Sequence, residues 1–225
     1  MTSKHEKQIL TAWNANAGPW IRAVEQAAIR APGTLTTSAV LRVIEDYSPA
    51  GGSILDAGCG EGWLVRELTR LGYRSTGIDA VPELIDHARR QGSETFRVLD
   101  YEQLQTTGLG RFDLVVNNFA LLGNTSTCAF LKALPELLNP SGVCVIQTLH
   151  PVAFFHEGEY SDGWKPGTWA GLPGDFGEPA PWYFRTLSGW LNLFTKTGLT
   201  LREIREPYTG GQPPQSIIFV VQNTR

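Results

Sequence analysis

Cysteine is scarce in these 225 residues, and Cys59, Cys128 and Cys144 are spaced neither as a disulfide framework nor as a zinc-ligand set. Each is read as a small packing residue, and no metal site is expected. No run of about 18 apolar residues occurs, and residues 1–7 lack the apolar segment of a secretory leader. The expectation is a cytoplasmic protein with no membrane partner. Charge of one sign is also in short supply: 19 Lys and Arg against 22 Asp and Glu leave a net charge of −3. That provides no broad basic surface for nucleic-acid phosphates. Internal repeats and low-complexity tracts are absent as well.

What is present suits an ordered core, with 42% hydrophobic and 18% charged residues. The length fits one domain over 1–225. Within 6–30, Ile9, Leu10, Trp13, Trp20, Ile21, Val24 and Ala28 recur at helical spacing, and Gly18 and Pro19 interrupt them, so two short helices are predicted. Thr36 or Thr37 is the predicted cap of a helix carrying Val40, Leu41, Val43, Ile44 and Tyr47, which completes an N-terminal helical cap over 1–48.

From residue 53 apolar runs alternate with amphipathic segments. Strands are predicted at 53–57, 75–79, 95–99, 112–117 and 143–148. Helices are predicted at 63–71, from Pro82 to before Gly92, and along Phe130, Leu131, Leu134, Leu137 and Leu138 until residues 140–142. Regularity fails over 151–181, which is rich in Gly, Pro and aromatics: Phe154, Phe155, Tyr160, Trp164, Trp169 and Phe176. With Trp182, Tyr183 and Arg185 this forms an insertion over 151–186, either an acceptor lid or a packing or subunit contact. A helix over 187–197 and strands at 199–205 and 216–222 end the chain. The class is α/β, doubly wound: a mostly parallel seven-stranded sheet with helices on both faces, an N-terminal helical extension and a long aromatic insertion after strand five.

The first strand runs into Asp56-x-Gly58-Cys59-Gly60-Glu61-Gly62 and then a helix, a turn that lets a ligand approach the main chain. The dinucleotide fingerprint G-x-G-x-x-G would need glycine at Trp63, which disfavours a nicotinamide enzyme. The loop resembles the first motif of class I, Rossmann-like S-adenosylmethionine-dependent methyltransferases, D-x-G-C-G-x-G, matched by Asp56, Gly58, Cys59, Gly60 and Gly62.

The resemblance spans 53–151 and implies S-adenosyl-L-methionine as cofactor and S-adenosyl-L-homocysteine as product. Asp79, with Ala80 beside it, would take both ribose hydroxyls, since a carboxylate accepts two hydrogen bonds at once. Asp100 would face the adenine amino group and Tyr101 the ring. Asn117, Asn118 and Phe119 would border the methionine portion, and Trp13 and Trp20 would close over the cofactor. Bland readings stay open: helix caps for Asp79 and Asp100, turn roles for the two asparagines, a packing role for Cys59. Asp56 and Glu61 either face the ammonium group or, for Glu61, complement a helix N-terminus.

Methyl transfer from a sulfonium needs chiefly alignment, and a base only where the acceptor carries a proton. His150, after the fifth strand, is the candidate base or else a structural histidine. His156 is second, and His5 and His87 are assigned to the surface. The D-P-P-Y signature for planar amino groups is missing, because Asn117-Asn118-Phe119-Ala120 stands there. A small-molecule acceptor is therefore expected, with no nucleic-acid partner. The competing reading is a cofactor-binding sensor or degenerate subunit without transferase activity.

Overall fold

Neighbouring residues on a strand enter opposite cores, as the two-residue period of a pleated strand requires. In β1 (Ser53–Ala57) Ile54 packs on one side with Val40, Ile44, Leu64 and Leu68, while Leu55 and Ala57 pack on the other with Phe130, Leu134, Trp190 and Phe194. In β4 (Phe112–Asn118) Leu114 and Val116 take the first side and Val115 the second. The computed structural model describes residues 4–26, 34–153, 155, 159–211 and 213–224. Ala28, Phe154 and His156 lie outside them.

One core is closed by α2 (Leu35–Tyr47) and α3 (Trp63–Arg70), extended by α4 (Pro82–Gln91). The other is closed by α5 (Thr125–Leu137) and α6 (Leu187–Lys196). Helices thus cover both faces of a seven-stranded sheet, in which β2 (Arg74–Asp79), β3 (Thr95–Val98), β5 (Leu138–Leu149), β8 (Leu199–Arg205) and β9 (Ser216–Asn223) join β1 and β4. The order is β3-β2-β1-β4-β5-β9-β8, and β9 runs antiparallel to both its neighbours, β5 and β8, while the other pairs of this sheet are parallel. Chain order reverses between β1 and β4, and open α/β sheets bind ligands outside the carboxyl ends of the strands at that switch point.

Five expectations are corrected. The N-terminal segment is one helix, α1 (Lys4–Glu25), which runs through Pro19. Proline disfavours helix in the preceding residue through that residue's Cβ, and Gly18 has none. Ala17, Ile21, Val81 and Leu84 bury together on either side of the interruption, with Trp13 and Trp20 against them. Thr34 rather than Thr36 or Thr37 stands at the start of α2, with its hydroxyl on Thr37 Oγ1 at 2.8 Å. Leu138 leaves the predicted helix and opens β5, because its extended backbone pairs with Phe112. His87 is buried rather than on the surface, since α1 packs over α4 and brings Glu25 Oε1 to 3.7 Å from its Nε2. His5 is half-buried, stacked on Trp164 at 4.5 Å between ring centroids.

The insertion contains a short hairpin, β6 (Gly163–Lys165) paired with β7 (Trp182–Phe184). Tyr183 N–H donates to the Leu122 carbonyl at 2.8 Å, which ties β7 to the loop after β4. No described helix is long and apolar enough to cross a membrane.

Candidate active site

The glycine loop is held to the sheet by its own amides: Gly58 and Cys59 N–H both donate to the Ile78 carbonyl, at 2.8 and 2.9 Å. Gly58 has φ +87°, and a Cβ there would collide with the Ala120 Cβ and stand 2.6 Å from the Tyr101 hydroxyl. Gly62, at φ +84°, opens α3 with the Phe96 ring where a Cβ would be, at 2.7 Å. Only glycine satisfies both backbone and space at these two positions.

At the end of β2, Asp79 Oδ2 accepts from Gly60 N–H and Oδ1 from Val81 N–H, each at 2.9 Å. Burial raises its carboxyl above the ordinary aspartate range, outweighing the amide bonds from Val81 and Gly60, which lower it. The capping alternative for Asp79 is met only loosely, since Val81 is the residue at the α4 cap. For Asp100 capping is realised: its Oδ1 accepts from Gln103 N–H at 3.0 Å, and Gln103 returns a bond to the Asp100 amide at 3.4 Å.

These strand ends wall a cavity of about 520 Å³. Gly58, Gly60, Asp79, Ala80, Asp100, Tyr101, Asn118, Phe119, Trp13 and Trp20 all line it. Asp56, Cys59, Gly62 and Asn117 are instead buried beside or beneath it. Asn117 Nδ2 donates to the Ala57 carbonyl at 2.6 Å and to Tyr101 Oη at 2.8 Å, and Tyr101 donates to the same carbonyl at 3.1 Å. The Tyr101 hydroxyl is therefore bound into the floor, with its ring against Phe130 at 5.2 Å. Burial pushes the Cys59 thiol well up, and its Sγ lies 3.7 Å from the Gly60 carbonyl, the environment of a packing residue. Phe119 adopts φ +58°, alone among non-glycine described residues. Its amide donates to the Gln147 carbonyl at 2.8 Å. A bulky side chain in left-handed backbone is strained, and such strain concentrates at binding sites.

The roof comes from α1 and the insertion. Trp20 Nε1 donates to Glu61 Oε2 at 3.2 Å, while Trp13 meets Trp20 and Trp169 edge to face at 5.2 and 5.5 Å. Asn16 Oδ1 accepts from Gly177 N–H at 2.6 Å. Glu6, which also lines the cavity, is absent from the sequence-based candidates. Its carboxylate accepts from the amides of Asn124 and Thr125 and from Ser126 Oγ, all at 2.7 Å, and so closes the N-terminus of α5 from another helix. Burial raises its pKa, but the bonds from Ser126, Thr125 and Asn124 together lower it further, and the net shift is downward.

His150 lines a different chamber, of about 130 Å³, at the end of β5. Its Nε2 is 2.7 Å from Glu206 Oε1, and its Nδ1 accepts from Val152 N–H at 3.2 Å. That acceptance puts the ring proton on Nε2. Phe119 and Leu122 line both spaces. Arg185, which the sequence places only beside the insertion, is a buried wall of the chamber, tied to the carbonyls of Gly123 and Asn124.

Among curated proteins, the chain is 37% identical over 113 residues to a ubiquinone biosynthesis O-methyltransferase of Xanthomonas axonopodis pv. citri, covering 47% of each. The chain thus matches about half the length of the curated relatives. Two solved structures share the fold. The CcbJ methyltransferase of Streptomyces caelestis has TM-score 0.68 and 16% identity over 94% of this chain and 99% of that one. The Burkholderia thailandensis 1,6-didemethyltoxoflavin-N1-methyltransferase, solved with 1,6-didemethyltoxoflavin and S-adenosylhomocysteine bound, has TM-score 0.66 and 16% identity over 100% and 92%. The family model described as a methyltransferase domain matches residues 30–204, which include β1 to β7, the glycine loop and the insertion, and the chain belongs to that family.

Proposed function

We propose that the protein is an S-adenosylmethionine-dependent methyltransferase acting on a small molecule. The observation that carries this is the glycine loop at the switch point, whose Gly60 amide is fixed by the Asp79 carboxylate on the wall of the large cavity. The residues fit the cofactor: the backbone at Gly58 leaves no room for a side chain, and the Asp79 carboxylate keeps acceptor capacity for ribose hydroxyls beyond the amides it already accepts. Asp100 and Tyr101 would border the adenine, with Asn118 and Phe119 at the methionine end. When bound, the cofactor supplies a methyl group already activated on sulfonium.

The chain's own part is alignment and exclusion of water. Trp13, Trp20 and Trp169 roof the cavity, and Phe119 stands between it and the smaller chamber. Fixing two reactants supplies about 7–11 kcal/mol in ideal cases, so no further catalytic group is required for an acceptor without a transferable proton. For a protic acceptor His150 is the candidate base, and it would have to release the Val152 amide before its Nδ1 took a proton. His150→Ala is expected to lower turnover roughly 10²-fold on a protic acceptor and leave S-adenosylhomocysteine affinity unchanged. Full turnover in that variant would remove the base assignment.

Residues 1–225 act in this reading as one unit, with 53–150 as the binding core and 1–48 and 151–186 as covers. The small acceptor is supported by the enclosing roof and by relatives named for ubiquinone biosynthesis and toxoflavin methylation. The unpaired thiols Cys59, Cys128 and Cys144 support a reducing, cytoplasmic setting. The test has two arms: calorimetric titration with S-adenosylhomocysteine, and a screen of metabolite extracts with isotopically labelled methyl donor. Binding without labelled product from any extract would favour the non-enzymatic sensor.

A further inference from the structure

The small chamber holds a charge that its surroundings do not balance. Phe119, Trp182, Tyr183, Phe184 and Trp190 supply apolar walls, and the guanidinium of Arg185 enters among them with the residue only 4% exposed. Guanidinium carries five N–H donors and accepts nothing. Three are used: Nη1 donates to the Gly123 carbonyl at 3.0 Å, and Nη2 to the Asn124 carbonyl at 3.2 Å and to Asn124 Oδ1 at 3.0 Å. The Nε–H and the second Nη1–H have no acceptor among the described residues.

No carboxylate among the described residues stands within ion-pair distance of Arg185. The neighbouring acids act on it only through space, and each is engaged elsewhere. Asp162 Oδ1 accepts from Thr186 N–H and Oγ1, both at 2.8 Å, and Glu6 closes α5. The rings of Tyr183 and Trp190 flank the cation at 4.7 and 5.1 Å. Burial lowers the guanidinium pKa to about 10, which still leaves it charged at neutral pH. Removing a charge from water without a counter-charge is costly, and carbonyl dipoles offset only part of that cost.

We propose that this chamber binds the methyl acceptor through one planar ring bearing an anionic substituent, for which Arg185 is the counter-charge. A chamber of about 130 Å³ is near the size that admits one benzene ring. The ring would lie among the aromatic walls, and the remainder of the acceptor would pass Phe119 and Leu122 toward the larger cavity. The acceptor assignment rests on the methyl-transfer reading; the preference for an anion does not.

Benzoate and benzamide, alike in shape and different in charge, provide the test on the full chain. Titrations at constant ionic strength would follow fluorescence of the chamber tryptophans, with S-adenosylhomocysteine binding measured alongside. Benzoate is expected to bind at least about tenfold more tightly than benzamide, a difference of about 1.4 kcal/mol. Arg185→Gln should erase the preference, and Arg185→Lys should retain part of it. Equal affinities in the native protein, no binding of either probe, or an undiminished preference in Arg185→Gln would overturn the proposal. The native comparison stands even where Arg185→Gln fails to fold. Binding of S-adenosylhomocysteine without benzoate preference sinks this inference alone, whereas failure to bind S-adenosylhomocysteine sinks the methyl-transfer reading and leaves the anion preference to be judged by its own titration.

Discussion

The floor of the large cavity is made by Gly58 and Gly60, Asp79 and Ala80, and Asp100 and Tyr101, each group at the carboxyl end of a strand in the parallel part of the sheet. The roof is made by α1 and the residues around Trp169, which meet only in space. Floor contacts are backbone-deep: amides of the loop bond to Ile78 and to Asp79, and the backbone at Gly58 requires glycine. Roof contacts are side chains, such as Trp13 on Trp20 and Trp169, Asn16 with Gly177, and Glu6 at α5. In the proposed function the floor defines what is recognised, and the roof defines how well it is enclosed. Substitutions on the two sides should separate affinity from stability.

The largest effect is expected at Asp79. Two hydrogen bonds to a charged carboxylate are worth about 1.5–3 kcal/mol each, so Asp79→Asn should weaken S-adenosylhomocysteine binding about 100-fold or more by calorimetry. Ligand-free stability should change little. The carboxyl's folded pKa lies above its unfolded one, so its charge opposes folding at neutral pH, and this penalty fades as pH falls through the raised value. Neutralising it offsets the loss of one amide bond. Cofactor affinity should meanwhile decline on acidification in the native protein and stay flat in Asp79→Asn. A variant with native affinity would falsify the ribose assignment.

Gly58→Ala comes next. Strained backbone at φ +87° and contact with Tyr101 and Ala120 should cost about 1–3 kcal/mol of stability, read by denaturant titration, and reduce cofactor affinity about tenfold or more as the floor shifts. An unchanged midpoint with intact binding would show that the loop is less tightly specified than its contacts indicate. On the roof, Trp20→Phe keeps an aromatic ring and removes the indole bond to Glu61. Cofactor release should quicken about threefold in stopped-flow measurements, in line with a loss of roughly 0.5–1.5 kcal/mol for one hydrogen bond.

The floor was legible in the sequence because its information is local. A strand, a glycine turn and a helix occupy 53–70, and acids recur at the ends of later strands, so Asp79 and Asp100 stand out from the sequence pattern alone. The roof was not legible, because its partners are distant in the chain. Nothing near Glu6 indicates that residues 124–126 will need an acceptor, and nothing near Arg185 indicates that it will be buried at Gly123. Local rules also misled. Pro19 read as a break until the missing Cβ of Gly18 and the packing of Ala17 and Ile21 on Val81 and Leu84 outweighed it. His87 read as a surface residue because the sequence of α4 contains no sign of α1 lying on it.

The smallest expected effect is at Glu6, and it separates the roof from the floor most directly. Its carboxylate accepts from Ser126 Oγ and from the amides of Asn124 and Thr125, the kind of terminus that a capping side chain stabilises by about 0.5–2 kcal/mol. Its folded pKa is below the ordinary glutamate value, so the stabilisation is fully present above that ordinary value and is lost as pH falls through the lower folded one. Glu6→Gln keeps an acceptor oxygen but removes the charge, and should lower stability by about 1 kcal/mol at neutral pH while flattening the acid limb of the stability profile. Because α1 also carries Trp13 and Trp20, cofactor affinity should fall only to the extent that the helix loosens, about two- to threefold, and the lost stability should be offset when the cofactor is saturating. An acid limb unchanged in Glu6→Gln would mean that α1 is held by its apolar face against Val81 and Leu84, and the carboxylate would then be an ornament of the roof rather than its fastening.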